Sequence, residues 1–207
     1  MNMLQRSDDW FESRKGRFTA SDIHKLLGVR GLGQTGESYI FEKAIEEVFG
    51  LDKEDTFVSS DMQRGITLEP LAFRKFKEIK EFEFLDIQET TFFPYGSHAG
   101  ASPDGLVGND SILEIKCPRP TKFFNLVAKG FEAIDKEYIA QMQMQMLCTN
   151  SVKAYFFNYI IFNGKEMWHE IEVERDEKMI DLIKERIEQA IKIKQDLVQY
   201  LITNKQF

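Results

Sequence analysis

Asp104, Glu114 and Lys116 are the residues whose types and spacing can do chemistry. They lie in residues 99–118, AGASPDGLVGNDSILEIKCP, whose skeleton is Ser-Pro-Asp-Gly, eight residues, then Glu-Ile-Lys. Residues 112–116 (ILEIK) alternate with the period of a strand, so Leu113 and Ile115 share one face and Glu114 and Lys116 the other. Gly108, Asn109 and Asp110 are turn formers between two apolar segments. With those three as a hairpin loop, Asp104 falls opposite Glu114 on the same face, and Ser102 shares it.

Two carboxylates and an ammonium would then converge on one wall of a sheet. Carboxylates that close repel, and one pKa rises unless a cation sits between them. A hard ion such as Mg²⁺ is held by one or two carboxylates together with waters and substrate phosphate oxygens. The lysine can orient or activate a water, or stabilise charge building on a phosphate. That is the layout of metal-assisted phosphodiester hydrolysis. A bare D…ExK pattern is more often an ordinary charged hairpin. Here the charges flank very apolar positions and the surrounding motif is longer.

SPDG…LEIKCP resembles the core of lambda exonuclease and the YqaJ-type viral recombinases, within the PD-(D/E)xK nuclease superfamily. The resemblance extends along most of the chain. W-x-x-x-R-x-G-x-x-T-A-S at 10–21 is similar to the family's N-terminal motif and implies that Arg14 and Ser21 bind a terminal 5′-phosphate. Gly65 to Glu69 is similar to a G-x-x-x-E element whose Glu belongs to the metal site. Met62, seven residues earlier, matches the place of an apolar wedge that splits end base pairs. GFEAI…Y-x-A-Q, ending at Gln141, matches an element whose Gln lies beside the active site and the 5′-phosphate. HEIEVERDEK at 169–178 is similar to the family's C-terminal region. On the residues alone, Glu69 reads as a solvated helix glutamate and Gln141 as solvent-facing.

The resemblance implies an α/β fold: a PD-(D/E)xK nuclease core, a central mixed β-sheet flanked by helices, as one domain over 1–207. It implies a metal-dependent 5′-to-3′ exonuclease on linear double-stranded DNA. Such an enzyme releases mononucleotides and leaves a 3′ single strand for an annealing protein. Asp104, Glu114 and the Ile115 carbonyl would hold Mg²⁺ or Mn²⁺, with Glu69 assisting, and Lys116 would position water. Arg14, Ser21, Ser102 and Gln141 would hold the 5′-phosphate. A homotrimeric ring is implied as well. The rival readings are another nuclease on the same core, cutting internally or on single strands, and a non-catalytic DNA-binding recombination scaffold.

The 207 residues, 43% hydrophobic and 29% charged with 18 phenylalanines, suffice for a sizeable aromatic-rich core. The net charge of −7 weighs mildly against a nucleic-acid binder, but local charge decides. Lys116, Arg119, Lys122 and Lys129 form an acid-free basic run. Arg6, Arg14, Lys15, Arg17, Lys25 and Arg30 form a second group, and Arg30 is a candidate DNA contact on a glycine-rich loop. Cys117 and Cys148 lack metal or disulfide spacing. No signal peptide or long apolar run stands out, so the expectation is a soluble, cytoplasmic protein without a membrane partner.

The elements that must position these residues follow from caps and periodicity. Ser7 caps a short helix carrying Trp10 and Phe11. Thr19 or Ser21 caps a second, with Ile23, Leu26 and Leu27 inward. Helices are expected over about 38–49 and, despite Pro70, 61–80, separated by an acidic connector at 52–55. A strand is expected over 84–93, ended by Pro94. A Thr121-capped helix runs to about Lys129, and residues 138–147 form another, with Met142 and Met146 as core filler. Strands over 152–162 and 167–174 flank the Asn163-Gly164 turn. Asp176 then caps a long amphipathic helix.

Overall fold

The computed structural model describes residues 7–50, 59–83 and 85–204; the acidic connector at 52–55, Arg6 and Phe84 lie outside the described residues. In chain order the elements are α1 (Asp8–Arg14), β1 (Phe18–Thr19), a 3₁₀ segment (Ala20–Leu26), α2 (Gly33–Phe49) and α3 (Ser60–Glu81). Then come β2 (Ile87–Glu89), β3 (Phe93–Tyr95), β4 (Ala99–Ala101), β5 (Gly105–Val107), β6 (Ser111–Lys116) and α4 (Pro120–Lys129). A 3₁₀ turn (Gly130–Ala133), α5 (Lys136–Thr149), β7 (Lys153–Phe162), β8 (Lys165–Glu174) and α6 (Glu177–Thr203) complete the order.

The expected mixed sheet has five strands in the order β2-β5-β6-β7-β8. β6 and β7 are parallel and the other pairs antiparallel. A parallel neighbour needs a long crossover, and α4 with α5 supplies it. Period-2 alternation in β6 sends Leu113 and Ile115 to the α3 face, against Ala72, Phe76 and Phe157. Ile112 goes to the other face, against Leu126, Met142, Met146 and Phe156. Each fully buried Leu, Ile or Phe stabilises by about 1.5–3 kcal/mol. Glu114 and Lys116 follow Ile112's parity, so this second apolar layer directs both charged side chains towards α5.

A second, three-stranded sheet, β1-β4-β3, packs with α2, α5 and α6 around Phe18, Ile23, Leu26, Tyr39, Met144, Ile183 and Ile187. It carries the segment between α1 and α2. Gly16, at φ +64, has its N–H on Glu46 Oε2 (3.1 Å) and its carbonyl on the buried Lys194 Nζ (2.6 Å). A Cβ there would meet Glu47 at 3.0 Å, so glycine lets the turn after α1 close onto α2.

Several local expectations are corrected. Residues 20–26 form a 3₁₀ segment without a side-chain cap from Thr19. α2 begins at Gly33, inside the expected loop. The strand expected over 84–93 is two short strands, and Pro94 lies within β3, paired to Gly100, instead of ending a strand. Proline is tolerated on such an edge because it gives up only its own donor. α4 is opened by Pro120 at its first turn with Arg119 as N-cap, two residues ahead of the expected Thr121. Ser59 caps α3 through the Met62 N–H, and Asp176 caps α6 through Lys178 and Met179. Among the described residues, no helix is long and apolar enough to cross a membrane.

Candidate active site

The hairpin loop is the expected Gly108-Asn109-Asp110, because Val107 pairs with Ser111 and Gly105 with Leu113. Continued one step, that register sets Asp104 beside Glu114. The Asp104 N–H donates to the Leu113 carbonyl (2.9 Å), and the Ile115 N–H donates to Asp104 Oδ2 (2.7 Å). The backbone of β6 thus fixes one Asp104 oxygen.

Glu114 is 2% exposed and sits in a polar cage. Its Oε1 accepts from Lys116 Nζ (2.7 Å) and Gln141 Nε2 (2.7 Å). Its Oε2 accepts from Gln145 Nε2 (2.6 Å). Gln141 also accepts from Lys116 Nζ (3.2 Å), so it bridges acid and base. Lys116 lies 4.6 Å from the centre of the Tyr138 ring.

The electrostatics follow from burial and like charge. Burial pushes the Asp104 carboxyl well above the usual carboxylate range, and the charges of Glu114 and Glu69 push it further. The Ile115 N–H and Lys116 pull it back only in part. Burial alone would lower the Lys116 pKa, but the charge and hydrogen bond of Glu114 outweigh it, so Lys116 is held firmly protonated. It therefore acts as a donor and a positive charge. Burial raises both cysteine thiols to about 12, Glu69 and Asp104 adding to the effect at Cys117, which leaves neither as a nucleophile.

A cavity of about 200 Å³ opens over this cluster. Arg14, Ser21, Ser102, Asp104, Glu114 and Gln141 line it, with Glu69, Ile115 and Lys116. Arg14 Nη2 donates to Ser21 Oγ (3.4 Å) and its guanidinium lies 4.1 Å from the Trp10 ring centre. Burial lowers the Arg14 pKa, with Tyr39, Asp22 and Glu46 opposing; a guanidinium still stays charged. A second cavity, of about 570 Å³, shares Glu69, Ile115 and Lys116 as a wall and is reached by the exposed Met62. Arg30 is exposed on the Gly28–Gly31 turn and lines neither cavity.

The structure thus brings together Asp104, Glu114, Ile115, Lys116, Glu69, Arg14, Ser21, Ser102 and Gln141, places Met62 next door, and leaves Arg30 apart. Gln141 is buried against Glu114 instead of facing solvent. Two residues with no site role assigned from the sequence join them. Trp10 donates through Nε1 to Ser102 Oγ (3.0 Å) and stacks on Arg14; the i, i+4 spacing of Trp10 and Arg14 was the available signal. Gln145 lies one turn beyond Gln141, on the same helix face. Among the described residues, no three acidic, histidine or cysteine side chains gather closely enough to hold a metal ion by themselves.

The structure is a mixed α/β fold in which a carboxylate pair and a lysine open into a cleft that Arg14 also lines. The chain belongs to the YqaJ-like viral recombinase domain family, whose profile matches residues 9–151. Its fold is similar to the alkaline exonuclease LHK-Exo from Laribacter hongkongensis, with TM-score 0.80 and 27% identity over 95% of this chain and 97% of that one. LHK-Exo in complex with dAMP matches with TM-score 0.82 and 27% identity, covering 94% and 96%. A phage-related exonuclease from Haemophilus somnus shares the fold, with TM-score 0.70 and 20% identity over 89% and 96%. No curated protein matches.

Proposed function

We propose that the protein is a divalent-metal-dependent deoxyribonuclease that degrades linear duplex DNA from the 5′ end, releasing mononucleotides and leaving 3′ single strands. The observation that carries this reading is the convergence of Asp104, Glu114 and Lys116 in a cleft that continues to Arg14, Ser21 and Ser102. Family membership and the likeness to alkaline exonucleases support the nuclease class. The dAMP complex of LHK-Exo supports a mononucleotide product.

The donor set fits Mg²⁺ or Mn²⁺. Burial and then its neighbours' negative charge destabilise the Asp104 carboxylate, and a cation at the site relieves that cost. Hard oxygen ligands suit these ions, and Mg²⁺ needs only one or two carboxylates beside water and phosphate. Asp104, Glu114 and the Ile115 carbonyl would hold the ion, with Glu69 assisting. It would supply Lewis-acid charge at the scissile phosphate.

The chain's own residues do the rest. Lys116 holds the attacking water and stabilises charge on the phosphate. Arg14, with Ser21, Ser102 and Gln141, grips the terminal 5′-phosphate and so sets which bond lies over Lys116. Water oxygen bonds to phosphorus as the P–O3′ bond breaks; the water gives up a proton to solvent, and the 3′ oxygen takes one and leaves as a hydroxyl. The shortened strand again ends in a 5′-phosphate, so the group that Arg14 recognises is regenerated each cycle.

The cellular setting of this reading is the cytoplasm, with a single-strand annealing protein as partner and a homotrimeric ring around the duplex. The test is mononucleotide release from an end-labelled duplex, with and without 5′-phosphate, in Mg²⁺ and in chelator. Phosphorylated linear duplex should be consumed only with metal. Cutting of closed circular duplex would overturn the reading.

A further inference from the structure

The second cavity adjoins the first: Glu69, Ile115 and Lys116 line both, while Arg14 and Ser21 line only the first. On the nuclease reading, a strand whose 5′ end occupies the first cavity meets the second cavity next, across their common wall at Lys116. Two arginines from different elements meet there, Arg64 on α3 and Arg119 ahead of α4. Both are held by a single oxygen: Arg64 Nη1 lies 2.7 Å and Arg119 Nε 2.8 Å from Asp61 Oδ1.

We propose that Arg64 and Arg119 form a second phosphate site, for an internal phosphodiester of the bound strand, and that Asp61 is the built-in counter-ion this phosphate displaces. The inference rests on the nuclease reading and deepens it. Arg64 Nε donates to the Cys117 carbonyl (3.0 Å), so its guanidinium is fixed at the end of β6 whether or not Asp61 is present. Asp61 is 50% exposed and Arg119 64%, and exposed ion pairs hold weakly. A phosphate offers more oxygens to the two planar forks than one carboxylate oxygen does. Of the other acids lining the cavity, Asp135 is engaged by Lys122, and Glu69 borders the catalytic cluster. Met62 and Ile66, exposed on the same helix and lining the same cavity, offer an apolar surface to the bases beside those phosphates.

The sign of one substitution separates this arrangement from a plain surface ion pair. Binding of a 5′-phosphorylated duplex, read by fluorescence anisotropy in chelator so that nothing is cut, is measured across salt concentrations. Asp61→Asn and Asp61→Ser should each tighten binding about 3–10-fold. Arg64→Gln and Arg119→Gln should each weaken it by a similar factor and reduce the salt slope by about 1. In the Arg64→Gln/Arg119→Gln background, removing Asp61 should change nothing, because the competition it ended is gone. Unchanged or weaker binding by both Asp61 variants, folded by circular dichroism, would overturn the proposal. So would tightening that persists without the arginines, which would be general charge relief. An unaltered chain that binds no duplex at low salt would instead overturn the nuclease reading itself.

Discussion

Gln145 Nε2 lies 2.6 Å from Glu114 Oε2, while the carbonyl oxygen of the same fully buried side chain has no hydrogen-bond partner. An unsatisfied buried acceptor is costly, and such costs cluster where a ligand or water later arrives. Gln141 is tied to both Glu114 and Lys116, whereas Gln145 is tied to Glu114 alone, so on the proposed function Gln141 would exchange partners when phosphate enters and Gln145 would go on holding Glu114. Gln145→Met keeps the volume and loses the hold. It should weaken Mn²⁺ or Mg²⁺ binding about 10–100-fold by calorimetry. The melting temperature in chelator should fall by only a few degrees, since loss of the orphan acceptor offsets part of the cost of leaving Glu114 Oε2 without its donor. Wild-type metal affinity in the variant would remove this role.

Asp104 gives a prediction of opposite sign with and without metal. Its folded pKa is raised, first by burial and then by Glu114 and Glu69. A carboxyl of this kind costs no stability below its unfolded pKa of about 3.9. Stability is lost as pH rises from there through the raised folded value, because the unfolded chain gives up the proton first. Asp104→Asn should therefore melt above the unaltered protein in chelator at pH 7–8, by about 2–4 °C for each kcal/mol relieved. The gap should close towards pH 4. In excess Mg²⁺ the order should reverse, since only the carboxylate gains from the ion. Calorimetric scans at both pH values decide it.

Arg14 should govern recognition of the end more than the chemistry. A charged hydrogen bond contributes about 1.5–3 kcal/mol, so Arg14→Gln should raise KM for 5′-phosphorylated ends roughly 10–150-fold. The preference over 5′-hydroxyl ends should vanish, with kcat little changed. Trp10→Phe keeps an aromatic face for Arg14 but drops the bond to Ser102. It should show a smaller form of the same defect. Steady-state kinetics on the two kinds of end measure both.

The hairpin was legible because one rule fixed everything in it: alternation in ILEIK and a three-residue loop leave a single register. The second glutamine's role was not legible. On an amphipathic helix, glutamines read as the solvent side, yet α5 is packed against β6 and β7 on one side and against β4 and the 3₁₀ segment on another. Gln141, Gln143 and Gln145 are all buried as a result. Gln143 spends its amide on the Glu174 carbonyl and the Asp176 N–H, tying α5 to the start of α6. Nothing local distinguishes that structural glutamine from the two facing Glu114; only the crossover direction of α5 does. Short elements failed for a similar reason. The three-residue β3 and β4 and the 3₁₀ segment owe their form to the packing around Phe18 and Tyr39 more than to propensity.

Lys116 is where the proposed chemistry can be separated from binding. It is protonated and hydrogen-bonded to Glu114 and Gln141, at the wall common to both cavities. Lys116→Met removes the donor, the charge and the ammonium's contact with the Tyr138 ring but keeps most of the apolar stem. Losing one preorganised stabiliser of transition-state charge costs about 10²–10³ in kcat. Metal affinity should not fall, because the positive charge facing Glu114 is gone. Duplex affinity should drop only modestly, since Arg14 still holds the end. A variant that turns over normally would leave the cleft a binding site without this catalyst. A variant that loses metal and duplex together would make Lys116 a structural counter-ion of Glu114.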